Sequence, residues 1–210
     1  MDGFWFYWFS WMVVIAIYFF DDNKKRRFTY VAIVLLFIIS SSLIVPFFSF
    51  ETRGTIFVMA LLAFLFLKQS QKSHLIYYNF ISTILAGIYL GIHYFVFFEP
   101  VWLYVSPLIM ISFLSFIATI ILVKRTIFRL GVIINGIVQG ELILMLLLLH
   151  NDHAYLDYLI IGDYGFLDIT SITLLFTIVW EGIERSALNL SNRWQQNKHL
   201  IHSKQKKLNA

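Results

Sequence analysis

The chain has 210 residues, of which 60% are hydrophobic, 19% aromatic and 13% charged, with a net charge of +4. That leaves too little polar surface to cover the apolar volume of a water-soluble globule, so lipid is the expected solvent. The absence of cysteine excludes disulfides and thiolate metal sites.

In lipid every backbone amide and carbonyl must be paired within the protein, so long apolar runs read as helices, whereas a barrel shows short alternating strands. In chain order the runs are Gly3–Phe20, Phe28–Phe48, Gly54–Leu67, Leu75–Phe98, Val101–Val123, Leu130–Leu149 and Phe166–Trp180. Most approach the ~20 residues that cross a ~30 Å hydrocarbon core. The third, roughly 21 Å long by helical rise, is expected to borrow Thr52, Arg53 and Lys68 by snorkelling. Pro46 is expected to kink the end of the second helix, and Ser106-Pro107 the start of the fifth. The first helix has no basic region before it and no small-residue cleavage site, so it is expected to stay as an anchor rather than be removed. Trp5, Tyr7, Trp8 and Trp11 near its start, and Trp180 at the end of the seventh helix, suit the headgroup region.

Charge sets the orientation, because short loops rich in Lys and Arg stay in the cytoplasm. With seven spans and an outside N-terminus, Lys24, Lys25, Arg26, Arg27, Lys68, Lys72, Lys124, Arg125 and Arg129 are cytoplasmic, together with the basic tail. Of the 16 Lys and Arg residues, Arg53 alone falls outside. Omitting the short third span would export Lys124, Arg125 and Arg129. The fold class expected is therefore all-α: a polytopic membrane bundle of seven transmembrane helices over residues 1–184, and a cytoplasmic tail over 185–210. The one-sided loops account for the basic character, which gives no reason to expect nucleic acid. Anionic lipid is a candidate partner for the tail.

Polar residues inside the spans are the candidate site. Glu141, in the sixth helix, lies about eleven residues, or roughly 16 Å, from the start of its apolar run, which suggests the bilayer midplane. Asn135 and Gln139 share its helix, and Asn79, Ser82, Thr83 and His93 form a stripe on the fourth. An intramembrane acid marks an ion or proton path or a hydrogen-bonded packing group. Gly87 and Gly91 in the fourth helix and Gly136 and Gly140 in the sixth make two GxxxG patterns that permit close helix approach, within the chain or to a second copy. Ser112, Ser115 and Thr119 on the fifth helix, and Thr170, Thr173, Thr177, Glu181 and Glu184 on the seventh, follow helical spacing and suit packing. Between His150 and Asp168, His150, His153 and Asp157 could share a helical face, but the spacing is non-specific and no HExxH is present. No metal or other cofactor is expected, and no phosphate loop, serine elbow or paired intramembrane aspartates point to an enzyme.

The aromatic start Phe4–Trp11, Glu99-Pro100-Val101-Trp102, Gln139-Gly140-Glu141-Leu142 and Trp180-Glu181 resemble the YphA-like membrane proteins of Bacillus-type bacteria, over nearly the whole chain. The resemblance implies a small multi-pass protein of a bacterial cytoplasmic membrane and supplies no activity. The expectation is an integral membrane protein that acts without catalysis, through packing or contact with a protein partner or a second copy. The alternative is a small transporter or channel with a polar path through the sixth and fourth helices.

Overall fold

The computed structural model describes residues 3–47, 50–70, 72–98, 105–150 and 160–208, and for 47, 50, 72, 73, 98, 150 and 192–208 the backbone alone. Each apolar run forms one helix: α1 Phe4–Phe20, α2 Lys24–Ser42, α3 Gly54–Lys68, α4 Lys72–Phe98, α5 Pro107–Leu122, α6 Thr126–His150 and α7 Tyr164–Leu208. The apolar stretches His74–Phe97, Thr126–Leu149 and Tyr164–Ser191 are long enough to cross a membrane, and α1, α3 and α5 are shorter apolar helices.

The boundaries shift where local chemistry outweighs hydrophobicity. The second helix starts four residues early because the Asn23 side chain accepts hydrogen bonds from the backbone N–H groups of Lys25 and Arg26, capping a basic first turn. In the same turn Arg26 grips Asp21 with Nε and Nη2 at 3.0 and 3.1 Å, and this bond holds the Asp21 carboxyl below its usual range. Pro107 does not kink the fifth helix; it is the first helical residue, where its missing N–H costs nothing. Nor does Pro46 bend α2, which has already ended at Ser42. The boundary expected at residue 185 falls inside α7, which continues unbroken for 45 residues, about 68 Å.

A small sheet is the feature that an all-α reading leaves out. Strands β1, Ile44–Phe47, and β2, Phe50–Arg53, pair antiparallel, and β3, Ile160–Ile161, joins β2 in parallel in the order β1-β2-β3. Pro46 sits on the edge strand, where a missing donor is tolerated. The two parallel strands each lead into a helix, β2 into α3 at Gly54 and β3 into α7 through Gly162, whose φ of 73° favours glycine. Arg53 sits at the joint: Nη1 donates to the Ser41 carbonyl at 2.7 Å, and its guanidinium lies 3.8 Å from the Tyr164 ring centre. It thus satisfies an orphan carbonyl at the end of α2, where a cation is also favoured by the helix dipole.

At the core is α6, which packs on α3, α4, α5 and α7. Gly131–Ile134 and Gly136–Val138 are all buried, so this helix keeps little exterior surface over its first half. Its glycines set the spacing. A Cβ on Gly131 would lie 3.0 Å from Phe66 of α3, and one on Gly136 would lie 2.7 Å from Leu85 Cβ and 2.9 Å from the Ser82 carbonyl of α4. One on Gly140 would meet the Tyr89 ring at 2.9 Å. The hydroxyl stripes do the same work between α5 and α7, where Ser112, Ser115, Thr119, Thr170, Thr173 and Thr177 are all buried. Thr170, Thr173 and Thr177 bond the carbonyls four residues back, and Ser112 crosses to the Ile169 carbonyl at 3.2 Å.

Because the atoms facing Gly136 include backbone, Gly136→Ala is expected to force α4 and α6 apart at a cost of about 1–3 kcal/mol, whereas Gly87→Ala, with nothing within 4 Å of the added carbon, is expected to leave the monomer as stable as before. Thermal unfolding of the detergent-solubilised monomers measures both.

Candidate functional site

The intramembrane polar residues separate into two groups with different surroundings. Glu141 is 3% exposed. Its Oε2 accepts a 2.5 Å hydrogen bond from the Tyr89 hydroxyl of α4, and its Oε1 accepts from the Gly162 N–H at 3.0 Å. One carboxylate therefore ties α6 to α4 and to the turn that starts α7. Its depth follows from those partners: Glu141 stands about 22 Å along α6 from Thr126 and about 13 Å from His150. It lies nearer the sheet than a count from Leu130 suggests.

The second group faces outward from the α4–α6 seam. Asn79 Oδ1 accepts from Gln139 Nε2 at 3.1 Å and from Asn135 Nδ2 at 3.4 Å, and Thr83 Oγ1 lies 3.5 Å from Gln139 Oε1. Asn79 and Thr83 are exposed, and Asn135 and Gln139 are half-buried. Every one of them lies inside the apolar stretches of α4 and α6. Four-residue spacing carries the α4 stripe on to Gly87 and Gly91, where an added Cβ would meet nothing within 4 Å.

The two GxxxG patterns consequently do different jobs. Gly136 and Gly140 are filled by Ser82, Leu85 and Tyr89 of α4, while Gly87 and Gly91 do not face α6 at all. Glu141 shares no hydrogen-bond partner with Asn79, Asn135 or Gln139 among the described residues. Of the other α4 residues, Ser82 is buried and reaches the Val132 carbonyl, and His93 packs on Tyr89 with ring centres 4.2 Å apart.

Three buried polar arrangements had no clear signal in the sequence. Arg129, 4% exposed, reaches Glu181 and Glu184 with Nη1 at 3.1 Å each and the Val123 carbonyl with Nε at 2.7 Å. Thr126 completes this cluster with a hydrogen bond to Glu181. The three-residue spacing of the two glutamates pointed to one helical face, but not to an arginine on another helix. Asp168, 2% exposed, accepts from the backbone N–H groups of Gly3 and Phe6 and so caps α1 from α7. The Tyr89 hydroxyl, within the apolar run of α4, is the third: it is buried and meets Glu141 across the α4–α6 seam. His153 and Asp157 and the side chain of His150 lie outside the described residues, and no group of three or more metal-ligating side chains occurs among the described ones.

A family model described as YphA-like integral membrane protein matches residues 2–206. The chain belongs to that family. No curated protein matches it, and no solved structure does. With family and helices together, the protein is an integral membrane protein of helical architecture. The residues behind the YphA-like resemblance have distinct places in the fold. Phe6 of the aromatic start is buried while Trp5, Trp8 and Trp11 are exposed. Gln139 and Glu141 divide between the two polar groups, and Trp180-Glu181 sets an exposed indole beside the Arg129 ion pair. Residues 99–102 lie outside the described set.

Glu141→Ala strands two buried donors and is expected to cost about 3 kcal/mol. Glu141→Gln retains an oxygen for Gly162 and an N–H for the Tyr89 oxygen, and is expected to cost about 1 kcal/mol. Unfolding of both variants in one detergent tests the tie; an alanine variant as stable as the parent would remove it.

Proposed function

We propose that this YphA-like protein crosses a bacterial cytoplasmic membrane seven times, with its N-terminus outside, and works without catalysis through lateral contact with a second copy of itself. The observation that carries this reading is the exterior stripe of Asn79, Thr83, Gly87 and Gly91 on α4, with Asn135 and Gln139 beside it. Asn79 Nδ2 donates to no group among the described residues, and Asn135 Oδ1 accepts from none. Amides left unpaired in hydrocarbon are costly, and a neighbouring helix is the usual way to satisfy them. The unused donor and the unused acceptor sit side by side, so a two-fold-related copy offers each its complement, as an isologous interface requires. The adjacent bare glycines let two α4 helices approach closely.

The seven-span orientation is supported by the placement of the basic residues at the α1–α2, α3–α4 and α5–α6 turns, at the end of the bundle opposite the sheet. Arg53 is consistent with it, because its charge is engaged by Ser41 and Tyr164 inside the protein. The transport alternative calls for Glu141 and the three amides to act on one path, and their separate partners give it no support.

Cysteine substitution tests both parts, since the chain has none of its own. Lys24→Cys and His199→Cys are expected to react with membrane-impermeant thiol reagents only from the cytoplasmic side, and Glu51→Cys only from outside. Oxidation of membranes carrying Gly87→Cys is expected to yield a covalent dimer, and Gly87→Leu to leave a folded monomer. A Gly87→Cys protein that stays monomeric when its membranes are oxidised would end the self-association reading.

A further inference from the structure

A cavity of about 600 Å³ opens between the α3–α4 and α5–α6 turns, at the end of the bundle opposite the sheet. Lys124, Arg125 and His74 line its rim, Tyr78 and Phe128 stack 4.7 Å apart in its wall, and no acidic residue contributes to it among the described residues. Lys124 and Arg125 are exposed and have no ion-pair partner among the described residues, unlike Arg26, Arg129 and Arg185.

Helix direction adds to the positive field. Both α4 and α6 start beside this cavity, and neither has an acidic residue in its first turn, so the positive ends of two helix dipoles converge here. The opposing carbonyls at the end of α5 are already engaged: Leu122 by the Tyr77 hydroxyl at 2.9 Å and Val123 by Arg129. Positive charge therefore stands uncompensated over an aromatic wall, an arrangement suited to an anionic group whose remainder is apolar. Basic pockets between spans on the cytoplasmic side take lipid headgroups for this reason.

We propose that the cavity between the α3–α4 and α5–α6 turns binds the phosphate of an anionic phospholipid, held by Lys124, Arg125 and His74 with its glycerol and chains along Tyr78 and Phe128. This inference is independent of the dimer interface, whose amides and glycines lie further along α4 and α6.

The test is native mass spectrometry of the full chain released from detergent, titrated with phosphatidylglycerol against phosphatidylcholine. The parent is expected to retain phosphatidylglycerol saturably and in preference. Lys124→Gln/Arg125→Gln is expected to bind it about thirtyfold more weakly, the combined attraction of two basic residues near a membrane surface. Lys24→Gln/Lys25→Gln removes the same charge from the α1–α2 turn and is expected to bind as the parent does. Equal weakening in both double variants, or none in the first, overturns the site. Displacement of the lipid by millimolar inorganic phosphate or glycerol phosphate makes the ligand a soluble phosphate and overturns the lipid assignment. Unchanged melting of both variants in phosphatidylcholine shows that folding is intact; if the first double variant melts early, the single substitutions Lys124→Gln and Arg125→Gln, each expected to weaken binding about fivefold, decide the matter in its place.

Discussion

Close approach of α4 to α6 is the contact on which the other polar arrangements depend. Gly136 and Gly140 remove the side chains that would hold the helices apart, and α4 fills the space with Leu85 and Tyr89. With its ring over Gly140, Tyr89 is in reach of the carboxylate on the next residue, Glu141. The same approach, two to three turns nearer the basic end, sets Asn79 beside Asn135 and Gln139. Widening the gap would therefore loosen a buried acid and disperse the exterior amide cluster together.

Three buried ionisable side chains, Arg53, Arg129 and Glu141, each reach elements distant in sequence. Arg53 joins α2, β2 and α7; Arg129 joins the α5–α6 turn to α7; Glu141 joins α4, α6 and the turn that starts α7. Breaking the Arg129 pair from one side leaves an uncompensated charge, which costs far more than the pair itself contributes. These contacts specify which helices are neighbours, where apolar packing between similar Leu- and Ile-rich surfaces does not.

Much of this architecture was legible in the sequence because lipid solvation imposes long apolar runs. All seven helices could be placed, including the short α3, which the charge distribution required. The sheet could not be, since Ile44–Phe47 and Ile160–Ile161 are apolar enough to read as helix ends or interface, and β2 pairs with β3 across more than a hundred residues. Pro46 and Pro107 were visible, but whether a proline kinks a helix or marks its limit depends on where the preceding turn has already ended. Candidate site residues were readable as residue types, and their partners were not. Nothing in one sequence says that Gln139 turns outward to Asn79 while Glu141 turns inward to Tyr89, and the two GxxxG patterns look alike although only one is filled.

The cap on α1 bears on time as well as stability. Asp168 holds the N–H groups of Gly3 and Phe6, and α1 packs on both α2 and α7. At ribosomal rates of about 5–20 residues per second, the capping carboxylate emerges roughly ten to thirty seconds after the helix it caps. Until then the first turn of α1 lacks the carboxylate that caps it. The cap on α1 can therefore form only after α7 has begun to emerge.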